Sequence, residues 1–464
     1  MPIISTVQSV PEELSSHGSD MTEPIVPLTE RVPFAPITPT SGRGRRHGTS
    51  NSQPFDRWFR YPAGFASDYA TTLLGYLNLP SGGTILDCFA GSGVAGTAAR
   101  SIGLGFVGIE AHPLIAELAE LKLSHPPGPS TNLGSAAAET VIAANKLVSR
   151  RQGARSAAAK QPDLVQRCFS PGDLEQLVAL RDAIKKNYSA PWSPYLKWAL
   201  LASLRDLAAV KVGWPYQRPG VQRKQRYNEP MQRFIARIRL MQDDLSKSAK
   251  LEARTSASMI CGDSRTDTAW ESISPGSIDG CLSSPPYLNN FDYADATRLE
   301  LYFWGDVTSW AEMCKTVRSG MVTATTQQSS VNAASTASSG LAQLGKTFTR
   351  IEDITSELEI QRKSRGRGKE YDRVVPDYFL GILDVLSRLA KVLESGAPSV
   401  WLIGDSAPYG VYIDTPALIG EIAEHLGFRV EEDLALRQRG LRWASTGMRH
   451  DIELTERLLL FRRD

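Results

Sequence analysis

The stretch TILDCFAGSGVAGTAARSIG, residues 84–103, narrows the possible folds more than any other part of the chain. An apolar, β-like run breaks at Ala90 into small residues. Gly91, Gly93 and Gly96 then spell G-x-G-x-x-G, and a helical pattern follows. GFVGIEAHP reads as a second short strand ending at Glu110, and PLIAELAELKL as a second helix. Strand, glycine turn, helix and strand make a βαβ unit, which starts an open parallel sheet with helices packed on its faces. The expected fold class is α/β.

The rest of the 464 residues divides by composition and periodicity. Residues 1–50 are rich in Pro, Ser and Thr and end in SGRGRRHG, a composition that cannot bury a core, so a disordered, basic-ended tail is expected. Residues 51–124 hold the βαβ unit. The rhythm breaks at Ser124, and residues 125–255 read as a helical insertion, with 3.6-residue periodicity in DLEQLVALRDAIKKN, SPYLKWALLASLRDLAAV and PMQRFIARIRLMQDDL. The β pattern resumes in SASMICGDSR and IDGCLSSPPY, so residues 256–464 are expected to complete the sheet. FRVEEDLALRQ and TERLLLFRRD read as its last two strands, joined through a hairpin that contains Trp443. Residues 319–345, rich in Ser, Thr and Ala, read as a mobile loop.

The overall charge of +2 conceals a segregation. Residues 141–250 carry 21 Lys/Arg against 8 Asp/Glu, a net of +13, which leaves −11 for the remainder. A positive segment of that size suits a phosphate backbone, although solvated helix faces would give the same count. The five cysteines form no CxxC pair and no Cys/His cluster has metal spacing, so no metal is expected and a reducing cytoplasm fits. No secretory leader and no apolar run of membrane-spanning length is visible, so neither secretion nor a membrane is expected.

The glycine turn alone would suggest a dinucleotide site. The acids beside it argue for another ligand. Asp87 ends the first strand, where a carboxylate would repel a pyrophosphate but can accept hydrogen bonds from an ammonium. Glu110 ends the second strand, where a carboxylate suits ribose hydroxyls. A ribose with a cationic amino-acid part and no phosphate is S-adenosyl-L-methionine. Asp263, ending the next strand-like run, is a candidate for the adenine amino group.

Downstream, CLSSPPY sets two prolines after an apolar run. Prolines fix φ and remove donors, so the chain leaving Leu282 is stiff, with its carbonyls free. Ser284 and the Pro285 carbonyl can then accept both protons of a planar exocyclic amine and hold its nitrogen for in-line attack on a methyl group. Tyr287 offers a π-face for the flat ring.

TILDCFAGSG together with CLSSPPY resembles the DNA amino-methyltransferases that act on cytosine N4 or adenine N6 and are associated with restriction-modification systems. The resemblance covers roughly residues 55–123 and 259–464. It implies a Rossmann-like S-adenosylmethionine-dependent methyltransferase fold: a seven-stranded, mostly parallel sheet with an antiparallel final hairpin, interrupted here by the helical insertion. Position by position, Asp87, Phe89, Gly91 and Gly93 match the family's cofactor loop, Glu110 its ribose acid, and Asp263 its adenine-side acid. Ser284, Pro285, Pro286 and Tyr287 match its catalytic tetrapeptide, and Phe65 is implied to line the donor pocket. Serine at the first tetrapeptide position is typical of cytosine N4, whereas Asp or Asn there mostly accompanies adenine N6.

The implied partners are double-stranded DNA and a cognate restriction endonuclease, in a prokaryotic cytoplasm and on the nucleoid when DNA is bound. A base stacked in duplex DNA has to be flipped out before its amine is reachable. The candidate DNA contacts are Trp214, Tyr216, Arg218, Arg223, Lys224 and Arg226 in the insertion, with Arg365, Arg367 and Lys369 of SRGRGKEY as a competing site. Three rival readings stand beside cytosine N4: adenine N6, an RNA base or protein glutamine amide, and a non-catalytic DNA-binding specificity subunit.

Overall fold

The computed structural model describes residues 53–61, 65–150, 152–212, 218–224, 227, 229–248, 255–288, 291–324, 329–366, 368–439 and 452–464. The expected tail and the Trp443 hairpin lie outside these residues. Among the described residues, nine strands form two sheets: β1 (Thr84–Asp87), β2 (Gly105–Glu110), β3 (Val210–Lys211), β4 (Arg218–Gln222), β5 (Ala257–Cys261), β6 (Gly280–Ser283), β7 (Pro398–Gly404), β8 (Phe428–Arg439) and β9 (Leu454–Arg463). Seven of them make the main sheet, in the order β5-β2-β1-β6-β7-β9-β8. Its first five strands are parallel, and β9 runs antiparallel to both β7 and β8. This is the seven-stranded, mostly parallel α/β sheet with an antiparallel final pair that the motifs imply.

Why these runs make central strands is visible in their alternation. Ile85, Leu282 and Val400 point into one apolar core with Val94, Phe106 and Leu458. Their neighbours Leu86, Cys281 and Trp401 point into the other, with Tyr378, Phe379 and Ile419. Successive residues face opposite sides of a pleated strand, so a continuously apolar run is what a strand covered on both faces requires. From β1 the chain winds outward through β2 to β5, then returns to β6 and β7 on the other side of β1. The order therefore reverses between β1 and β6, and the crevice beyond their carboxyl ends is where an open α/β sheet takes its ligand.

The insertion is mainly helical, with Thr131–Ser149, Pro171–Lys186, Ser193–Leu207 and Pro230–Ser248 as its long helices. It also carries the small antiparallel ribbon β3–β4, which helical periodicity does not foretell. Its core is continuous with the rest of the protein: Leu177, Trp198 and Phe234 pack in one cluster with Trp58, Phe59 and Leu118, and with Leu301 and Phe303.

Residues 319–345 depart from the expected loop. They contain the helix Val331–Leu341, whose Ser330 cap accepts the Ala333 N–H (3.0 Å). Ala337 and Leu341 are buried, and the helix packs on Tyr371–Val392. Small residues let two helices approach closely but carry little hydrophobic signal, which explains why the composition reads as loop.

Candidate active site

At the carboxyl edge of the sheet, Tyr61, Phe65, Asp87, Phe89, Gly91, Glu110, Ser264, Ser284, Pro286 and Tyr293 line one cleft, together with Gly320–Val322. It encloses about 770 Å³, open mouth included. Residues almost 200 positions apart thus meet because β1 and β6 are neighbours.

On the donor side, Asp87 ends β1 and is 2% exposed. Its Oδ1 accepts the Phe89 N–H (3.0 Å) and the Ser283 hydroxyl (2.5 Å). Burial nevertheless pushes its pKa up to about 7, with those two hydrogen bonds opposing. Glu110 ends β2 and accepts the N–H groups of Gly91 and His112, both at 2.8 Å. Burial raises it to about 7 as well. Two carboxylates with raised pKa values at one cleft, once ionised, are an acceptor set suited to a cation and to hydroxyls. The turn between them needs its glycines: Gly91 and Gly93 have φ of 51° and 78°, and a Cβ on Gly93 would lie 3.0 Å from that of Ala119. Phe65 and Phe89 add apolar walls, Phe89 lying edge-on to Trp401.

Asp263 does not join this lining. Arg265 holds both of its oxygens, Nε to Oδ1 at 2.9 Å and Nη2 to Oδ2 at 2.7 Å, and Ser264 reaches the cleft instead. The two-residue spacing to a guanidinium is the signal that sequence reasoning passed over.

On the acceptor side, the two serines of CLSSPPY take different duties. Ser283 bolts β6 to Asp87, tying the donor and acceptor strands together. Ser284 donates its hydroxyl proton to the Leu402 carbonyl of β7 (3.1 Å), which leaves its oxygen lone pairs as acceptors toward the cleft. Pro286 lines the cleft and Pro285 is buried beside it. Tyr287 stands outside the lining, with its N–H donated to the Tyr293 hydroxyl (3.1 Å). Sequence reasoning missed Tyr61 and Tyr293, although Tyr293 follows Tyr287 by six residues in the same aromatic stretch.

The expected DNA contacts fare unevenly. Trp214, Tyr216, Arg226 and Arg367 lie outside the described residues, and Arg218 opens β4. The guanidinium of Arg223 caps the helix Ser193–Leu207, donating to the carbonyls of Ala208 (2.7 Å), Asp206 (3.2 Å) and Arg205. Lys224 and Lys369 are exposed. Arg365, also exposed, lies over the Tyr409 ring (4.8 Å) and donates to Gln361. Among the described residues, no three His, Cys, Asp or Glu side chains stand where they could hold a metal, and no helix is long and apolar enough to cross a membrane.

The sheet order and the acidic glycine cradle define an α/β, Rossmann-like methyltransferase fold, for which S-adenosyl-L-methionine is the implied methyl donor. The chain is similar to the Type II methyltransferase M.BsoBI of Geobacillus stearothermophilus, 22% identical over 438 residues that span 84% of this chain and 82% of that protein. Type II methyltransferase M.AvaI of Anabaena variabilis is 27% identical over 165 residues, 34% of this chain and 32% of that one. Both of these relatives are thus named as Type II methyltransferases. No protein-family model matches the chain. Among solved structures, the rRNA methyltransferase aviRa of Streptomyces viridochromogenes aligns over 87% of this chain and 86% of its own, at 12% identity and a TM-score of 0.27, too loosely to carry weight.

Proposed function

We propose that this chain is a site-specific DNA methyltransferase that modifies the exocyclic N4 amine of cytosine, as the modification enzyme of a restriction-modification or phage-defence system. The observation that carries the reading is Ser284: its proton is committed to the Leu402 carbonyl, so it meets the cleft as an acceptor, beside two buried carboxylates.

S-adenosylmethionine supplies a methyl group on a sulfonium, open to direct displacement by a lone pair. Asp87 accepts hydrogen bonds from an ammonium, and Glu110 from ribose hydroxyls. Phe65 and Phe89 wall the pocket, and Gly91 and Gly93 let the backbone approach. With Asp263 occupied by Arg265, Ser264, which lines the cleft, takes the adenine edge in this reading. Ser284 and the Pro285 carbonyl accept hydrogen bonds from the two amino N–H groups and draw the nitrogen lone pair out of conjugation with the ring; the methyl would leave its sulfur as S-adenosylhomocysteine, and the methylated nitrogen would shed one proton to water. Direct attack by that nitrogen requires no covalent enzyme–base adduct. Tyr287 stacks the extruded base. In this reading the exposed Lys224, Arg365 and Lys369 contact DNA phosphates in the cytoplasm.

Adenine N6 would meet the same acceptors, and the serine in place of an acid is what favours cytosine. The test is to express the chain in a methylation-free host and sequence the DNA for modified bases. N4-methylcytosine in one sequence context is expected. N6-methyladenine would overturn the cytosine assignment, and unmodified DNA would favour an RNA, protein or non-catalytic role. Protection of DNA that carries the mark from a co-encoded endonuclease is the matching test of a restriction partner.

A further inference from the structure

Tyr287 closes the tetrapeptide, yet its ring lies among groups from the far end of the chain. Its hydroxyl donates to Glu456 Oε1 (2.8 Å), on β9 opposite Gly404. Glu456 is 5% exposed. The Arg439 guanidinium lies over the ring, 4.9 Å from its centroid. Arg439 is itself seated: its Nη1 donates to the Asp405 carbonyl (2.9 Å), and a Cβ on Gly404 would collide with that guanidinium and come within 3.0 Å of the Tyr287 ring. Glycine at the end of β7 is therefore what leaves room for the arginine. The Asp405 carboxylate, 2% exposed, anchors the seat by accepting the Thr455 N–H and hydroxyl, both at 2.8 Å.

A stacking platform needs only a flat apolar ring, which phenylalanine would supply. Here the hydroxyl is engaged by a buried carboxylate, a charge-assisted bond of the stronger kind. Burial and the Glu456 charge hold the phenol well above its usual range, so it keeps the proton it donates. One edge of the ring is thereby fixed, and Arg439 covers one face by a cation–π contact. Stacking helps catalysis only when the ring plane is set before the base arrives.

We propose that Glu456 and Arg439 are positioning residues for the methyl acceptor: acting through Tyr287, they preset the plane of the ring on which the extruded base stacks. This rests on the amine-methylation reading above. The test uses the purified full-length chain, S-adenosylmethionine and unmethylated genomic DNA from a methylation-free host. Glu456→Leu removes the acceptor and Tyr287→Phe the donor of one hydrogen bond. Each is expected to lower kcat about tenfold while the KM and Kd for S-adenosylmethionine stay unchanged. The double variant should be no worse than either single one, and Glu456→Gln, which keeps an acceptor, should recover most of the turnover. Arg439→Ala, which bares the second face, should lower kcat/KM for DNA several-fold at the same donor Kd.

Additive losses in the double variant, or full turnover in Glu456→Leu, would overturn the inference. So would a Glu456→Leu chain that also loses donor binding, because the role would then be structural. If Glu456→Leu does not fold, Tyr287→Phe decides alone, and an unchanged kcat sinks the idea. A wild-type chain that methylates no DNA would count against the functional reading itself, before any variant is compared.

Discussion

At the carboxyl edge of the sheet, Asp87 and Glu110 are buried acids that meet Ser283 and backbone N–H groups, and burial lifts both to a pKa of about 7. In the insertion, charges are matched within the protein. Arg205 pairs with Glu300 (2.7 Å), Arg233 and Arg237 both with Asp206, Lys197 with Glu117 (2.7 Å), and Arg57 with Asp244. Arg205 and Lys197, two of the cations behind the +13 of residues 141–250, are thus held by acids from outside that span and are not offered to phosphates. A charged ligand is better sought where buried carboxylates face an open cleft than where like charges are merely numerous.

Breaking the matched side should give the largest effect. Glu300 is fully buried and its Arg205 partner is 15% exposed. Removing the acid by Glu300→Ala leaves an uncompensated guanidinium and is expected to cost about 3–5 kcal/mol in urea unfolding. A loss below about 1 kcal/mol would mean that the pair is ornamental to the fold.

The cleft responds to pH instead. Below about pH 7 the empty protein holds Asp87 and Glu110 protonated, whereas an ammonium and ribose hydroxyls call for the carboxylates. Donor affinity should therefore rise with pH through 7, by about tenfold between pH 6 and 8 for each acid that must ionise, with proton release on binding in calorimetry. The sign for stability is opposite. Both folded pKa values lie above their unfolded ones, so the stabilising contribution is fully present below about pH 4 and is lost as pH rises through 7 in the donor-free protein. Flat donor affinity across that window would contradict the assignment of both acids.

The smallest contrast lies between neighbours. Arg223→Ala should lower stability by about 1–2 kcal/mol through the lost helix cap, read by thermal unfolding. Lys224→Ala should leave stability unchanged while it weakens DNA binding uniformly across sequences and reduces the salt slope by about 1. The reverse pattern would return Arg223 to the DNA face.

The parts of the fold legible in the sequence are those that depend on short-range pattern. The apolar runs at β1 and β6, the glycine turn and the final strand pair follow from periodicity and motif. Phe65, Asp87, Phe89, Gly91, Glu110, Ser284 and Pro286 do meet in one cleft. What stayed hidden depends on contacts between distant residues. Nothing local distinguishes Ser283, bound to Asp87, from Ser284, bound to Leu402, except the face of the strand on which each emerges. Nothing near Arg223 announces that helix carbonyls will take its donors. The Asp263–Arg265 pair was close enough to read, but not the question of which of its neighbours would turn to the cleft.

The central claim is that Ser284 accepts a hydrogen bond from the target amine in a donor-bound cleft. The direct measurement compares the wild type with Ser284→Ala, using S-adenosylmethionine with a labelled methyl group, unmethylated DNA and mass analysis of the digested nucleosides. The wild type should yield labelled N4-methylcytosine. Ser284→Ala should bind the donor with unchanged Kd and lose about a hundredfold in turnover. A Ser284→Ala enzyme that methylates DNA at the wild-type rate would contradict the account.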